Sequence, residues 1–250
     1  MNVLRKISES VFLILMALFV FSCTPGGDIF DDDKEGSDTG VENNGTSSGD
    51  DKGNVHKGHE WVDLGLPSGI KWATCNVGAT KPEEYGGYYA WGETEEKSDY
   101  SWETNKYADY DEGKFHYTKY SSNDYYKTTL DVIDDVACVK WGGSWRMPTK
   151  EELIELREKC SWKWVYYRGV YGMRVVGAND SIFLPAAGYR AGDKLECEGT
   201  YAYYTSSTPQ PFYEMAWLLH YRWGAWDDDR QIRVATCIRR LGYSVRPVCE

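Results

Sequence analysis

The stretch Trp141 to Trp164, WGGSWRMPTKEELIELREKCSWKW, contains a helix with an unambiguous start. Thr149 followed three residues later by Glu152 forms a capping box, in which each side chain accepts from an otherwise orphaned backbone N–H. Pro148 immediately before it keeps the chain from being helical any earlier. Leu153, Ile154 and Leu156, with Cys160 four residues on, supply a narrow apolar face, and Lys150, Glu151, Glu155, Arg157 and Glu158 supply the wet one. One such helix buries little alone. The tryptophans at 141, 145, 162 and 164 bracket it, so it is expected to dock into an aromatic core.

Working outward, apolar pieces separated by Gly, Pro and Asn come before it: WVDLGL, IKWATCNVGA and GGYYAWGET, all of which read as short strands. Trp102 to Tyr126 is rich in Tyr, Asp and Ser without a period and reads as a long surface loop. Leu130 to Lys140 has helical apolar spacing with aspartates clustered early, as the helix dipole prefers. After the central helix, Lys163 to Tyr167, Gly172 to Val176 and Ser181 to Pro185 predict a meander of strands. Tyr201 to Ser206, Glu214 to Tyr221, Gln231 to Cys237 and Tyr243 to Val248 are strand-like too. Two helices early and many short, mainly antiparallel strands later define an α+β class.

With 250 residues the chain is long enough for one sizeable domain. Its net charge of −11 argues against nucleic acid, which requires a basic footprint. Much of the acid lies in Thr24 to Gly58, with nine carboxylates against three lysines and almost nothing to bury. That segment predicts a disordered, self-repelling tether. Before it, Arg5 and Lys6, the apolar run Val11 to Phe21 and then Ser22-Cys23 have the layout of a secretory signal. The expected organisation is therefore a signal at 1–23, a tether at 24–58 and a domain at 59–250.

The cysteine at the end of the apolar run makes the signal resemble that of bacterial lipoproteins, which implies Cys23 as the lipid-attachment residue and a membrane partner through the anchor. Asp31-Asp32-Asp33 resembles the export signals of Bacteroidetes lipoproteins. The implied location is the outer membrane, facing the cell surface, with a periplasmic orientation as the alternative. WATCNVGA at 72–79, GGYYAWGET at 86–94, WGGSWRMPT at 141–149, IFLPAAGYR at 182–190 and GYSVRPV at 242–248 resemble, in that order, the Fibrobacter succinogenes major paralogous domain. WRMPTKEELIEL and GYSVRP also resemble the formylglycine-generating-enzyme branch of the C-type-lectin-like fold. The resemblance implies a loop-rich lectin-like domain, and Cys75 with Cys160 as its best disulfide pair.

Six cysteines remain after Cys23, at 75, 138, 160, 197, 237 and 249, and an even number in an exported domain suggests a disulfide set. The absence of any C-x-x-C gives zinc and thioredoxin chemistry little support. Formylglycine-generating enzymes use a cysteine pair just before their last strand. This chain has only Cys237 there, so that oxidase reading, or a structural role in a surface fibre, ranks as the alternative. Of the histidines, 56 and 59 fall in or beside the tether and 116 in the loop, leaving His220 on a strand. Calcium-dependent lectins need oxygen donors around a proline. Here Gln210-Pro211-Phe212, followed later by Trp226-Asp227-Asp228-Asp229, is broken by Phe212, so no cofactor is expected, with calcium as the alternative. What remains is recognition by a surface: Trp223, Trp226, Asp227, Asp228, Asp229 and Arg230 form a bulky, mixed-sign cluster suited to a glycan or protein ligand. In lectin-like variable proteins of bacterial retroelements the region before a similar last strand carries the ligand surface, so that resemblance points to the same place. The expectation is a non-catalytic, exported binding or adhesion domain.

Overall fold

The computed structural model describes residues 54–210, 215–222 and 232–250. The strands are β1 (Val55–His56), β2 (His59–Val62), β3 (Lys71–Ala73), β4 (Ala108–Asp111) and β5 (Lys114–Tyr117), followed by the helices α1 (Val136–Trp141) and α2 (Lys150–Lys159). Then come β6 (Ser161–Tyr167), β7 (Val170–Val176), β8 (Ser181–Pro185), β9 (Tyr189–Ala191) and β10 (Lys194–Glu196). The last strands are β11 (Tyr201–Gln210), β12 (Met215–Arg222), β13 (Arg233–Ile238) and β14 (Val248–Cys249). The sheets run β1-β2-β3-β14, β6-β7-β8 and β11-β12-β13, and β4-β5 and β9-β10 are hairpins. Every pairing between these strands is antiparallel, so the chain is α+β and rich in sheet. No helix among the described residues is long and apolar enough to cross a membrane.

The β11-β12-β13 sheet is central because both of its faces are buried. On one face Ala202, Tyr204, Leu219 and Tyr221 join Met173, Val175, Ile182 and Leu184 of the β6-β7-β8 meander, Leu153 and Leu156 of α2, and Trp72 of β3. On the other, Ala216, Leu218 and Cys237 join Val136 and Ala137 of α1, with Tyr89, Trp91, Tyr120 and Tyr243. Period-2 alternation explains how one strand serves two cores.

The capping box forms as the sequence predicts. Thr149 Oγ1 accepts from the Glu152 N–H at 3.2 Å, and the Glu152 carboxylate accepts from the Thr149 N–H at 2.8 Å. That carboxylate also takes two bonds from the Arg146 guanidinium, at 2.6 and 2.8 Å. Thr149→Ala is expected to cost about 1 kcal/mol of unfolding free energy in a denaturant titration, a cap loss that leaves the fold in place.

Several expectations are corrected. Trp162 and Trp164 pack against the main core beside α2, but Trp141 and Trp145 do not bracket that helix. They form a separate nest with Ala73 and Cys249, in which Trp141 stacks flat on His59 at 3.7 Å and Trp145 Nε1 donates to the His56 carbonyl at 2.8 Å. The domain therefore begins at least as early as β1, because His56 and His59 belong to a hairpin packed on these indoles rather than to a tether. The 102–126 region contains the β4-β5 hairpin, whose turn residues Glu112 and Gly113 have φ of 50° and 81°, the pair of positive values a two-residue hairpin turn needs. The helix expected over 130–140 starts only at Val136. Asp135 is extended, and its carboxylate accepts from the N–H groups of Ala137, Cys138 and Met147. Val132 and Ile133 are left exposed on a 3-10 turn. GGYYAWGET is not a strand: Tyr88, Tyr89, Ala90 and Trp91 are buried one after another, with a single bridge from Tyr89 to Tyr243. Of Tyr243 to Val248, only Val248 belongs to a strand.

Candidate ligand-binding surface

The residues that the sequence nominates, Trp223, Trp226, Asp227, Asp228, Asp229 and Arg230, lie outside the described residues, as does Cys23. They connect β12 to β13, however, and the strand ends on either side are described. In the register of the central sheet, Tyr201 faces Arg222, and Tyr203 faces His220, which faces Arg233. Cross-strand partners share a face, so these five side chains rise together at the end of the sheet from which 223–231 departs.

Three of the rings form a rank. Tyr201 and Tyr203 are parallel within 4° at 6.1 Å, and Tyr203 and His220 within 20° at 5.9 Å. Tyr189 meets Tyr203 edge-on at 5.2 Å and fixes its plane. Burial, with Arg233 and Arg222 alongside, pushes the imidazole of His220 down to about 4, so it is neutral at physiological pH. Burial also raises the Tyr203 hydroxyl above its ordinary range. The outcome is a row of uncharged aromatic rings, with Arg222 the cross-strand partner of Tyr201 and Arg233 that of His220. Such a surface can stack on C–H groups and donate hydrogen bonds to acceptor oxygens. Two halves of the rank were legible in principle, since Tyr201 and Tyr203 sit two apart in a strand, on one face, as do His220 and Arg222, but not the register that joins them.

Cys197 is disulfide-bonded, but the other five cysteines take a different course from the one the cysteine count suggests. Cys75 and Cys160, the pair implied by the family resemblance, are both free, as are Cys138, Cys237 and Cys249. The two members of that pair have different surroundings. Cys75 lies 3.6 Å from the Thr74 hydroxyl with Arg246 as a charged neighbour, whereas Cys160 caps α2 against the main core beside Glu155. Burial raises all five thiols, Cys160 and Cys249 to about 11 and Cys138 and Cys237 to about 12. They are protonated at neutral pH and poor nucleophiles.

His116, expected in a loop, lies on β5, and Gln210 ends β11, while Pro211 and Phe212 lie outside the described residues. Among the described residues no three His, Cys, Asp or Glu side chains are grouped to hold a metal. No protein-family model, curated protein or solved structure matches the chain.

Proposed function

We propose that this chain is an exported, lipid-anchored surface protein. Its lectin-like domain, of the Fibrobacter succinogenes major paralogous kind, captures a glycan or protein ligand without transforming it. The observation that carries this reading is the aromatic rank of Tyr201, Tyr203 and His220 at the ends of β11 and β12, with Arg222 opposite Tyr201 and Arg233 opposite His220. A stacking surface with guanidinium donors beside it suits recognition, since rigid rings bind at low entropic cost. The protonated thiols and the low basicity of His220 fit a domain that holds its ligand without attacking it.

The test is a glycan array followed by titration of the full chain with the strongest hit. Tyr201→Ala and Arg222→Ala are each expected to weaken binding about tenfold or more with little change in melting temperature. Equal affinity in both variants would remove this surface as the site, and turnover of the bound glycan would remove the non-catalytic reading.

A further inference from the structure

The outer face of the β6-β7-β8 meander carries a second feature, distant in sequence from residues 223–231. Met173, Val175, Ile182 and Leu184 point into the main core, so Val165, Tyr167, Gly172, Arg174, Ser181 and Phe183 share the opposite face. A cleft of about 310 Å³ opens there between the sheet and the segment holding Thr74 and Pro82. That volume is at the lower end of small-ligand sites. Its floor depends on Gly172, since a Cβ there would stand 2.6 Å from the Phe183 ring and 2.3 Å from the Leu184 carbonyl.

Both walls are pinned. The buried Arg246 guanidinium donates to the Thr74 carbonyl on one wall at 2.6 Å and to the Phe183 carbonyl on the other at 2.9 Å. At the rim, Arg168 pairs with Glu83 at 3.7 Å and lies over the Tyr167 ring at 5.2 Å.

The residues that line the cleft include one cation and no carboxylate. Arg174, in its lining, is the direct cross-strand partner of Lys163. Like charges directly opposite in a sheet are destabilising. Neither cation has a carboxylate partner among the described residues, although the chain as a whole carries a net charge of −11. An anion seated between them would relieve that repulsion. The hydroxyls of Thr74 and Ser181 and the apolar surfaces of Val165, Tyr167 and Pro82 complete a lining for a ring with one polar edge and one apolar face.

We propose that this cleft binds a carboxylate-bearing sugar unit, a uronic acid. The carboxylate sits on Arg174 and Lys163, and the pyranose ring lies against Tyr167 and Val165. The site is separate from the strand-end surface and stands whether or not that surface binds a ligand.

The test is calorimetric titration of the full chain with glucuronate, glucose and inorganic phosphate. Glucuronate is expected to bind saturably, with glucose at least about tenfold weaker because it lacks the charge. Arg174→Gln is expected to weaken glucuronate by about tenfold or more at unchanged melting temperature, while Lys159→Gln, which removes an exposed charge elsewhere, leaves it unaltered. Absence of saturable glucuronate binding, or equal affinity in Arg174→Gln, overturns the assignment. Phosphate binding as tightly as glucuronate would also overturn it, since the cleft would then read charge alone. If Arg222→Ala abolishes glucuronate binding and Arg174→Gln does not, the acid belongs to the strand-end surface: this proposal falls and the proposed function survives.

Discussion

Arg246→Met is expected to lower the unfolding free energy by about 3–5 kcal/mol, read as a shift of the denaturant midpoint at unchanged slope. Arg246 is 1% exposed and uses its whole fork: Nε donates to Asn76 Oδ1 at 2.8 Å, Nη1 to the carbonyls of Ala73 and Thr74, and Nη2 to that of Phe183. Replacing a buried ion pair with apolar side chains is often harmless, because both charges leave together. Here the partners are main-chain carbonyls and an amide oxygen, which stay behind and lose their donor. Leaving a buried acceptor unsatisfied costs about 1–3 kcal/mol, and several are left at once. Arg246→Lys should rescue little, since an ammonium cannot span the geometry of the guanidinium. A midpoint unchanged in both variants would show that water replaces the guanidinium without penalty.

Asp134→Ala should be the second most damaging substitution, at about 3 kcal/mol or more. The fully buried carboxylate accepts from Lys119 Nζ at 2.5 Å, Lys106 Nζ at 3.0 Å, the Tyr120 hydroxyl at 2.8 Å and the Tyr107 hydroxyl. Removing it leaves two ammonium groups converging without their acceptor. Among the described residues the one carboxylate left to Lys119 is Asp131, which it shares with Lys127.

The same cluster makes a pH prediction. Burial alone would raise the Asp134 carboxyl, but the bonds from Lys119, Tyr107, Lys106 and Tyr120 overcome it and bring the group from 3.8 down to about 2. A carboxyl held below its unfolded value contributes stability that is complete above 3.8 and is lost as pH falls through about 2. The wild type should therefore lose about 2 kcal/mol more than Asp134→Asn over that acid window, measured as the difference between their stability curves. Parallel curves would mean the carboxylate is not held as the geometry indicates.

The parts of the fold legible in the sequence are those built from neighbours along the chain. The capping box needs only Thr149 and Glu152, and the β6-β7-β8 meander needs only short alternating runs between turn residues, so both read correctly. The β4-β5 hairpin was equally local. Its Glu112-Gly113 turn signal lay inside a polar stretch whose aromatics pair with one another, Trp102 stacking on Phe115 at 5.4 Å, rather than alternating cleanly. For the proposed binding surface, the sequence singled out the residues between β12 and β13 but missed the aromatic rank at the described strand ends. That rank takes one tyrosine pair from β11 and one histidine from β12, and only strand register brings them side by side.

The sequence by itself determined the α+β class, the start of α2 and the strand meander that follows it, because caps, turns and side-chain alternation act over a few residues. Only the tertiary structure decided that Arg246 would close onto Asn76 and Phe183, that five thiols would stay free, and that a cleft would open beneath Thr74 and Pro82. Those outcomes join positions as far as 170 residues apart. Which distant acceptor a buried donor finds is set by how the sheets pack, and no local pattern encodes it.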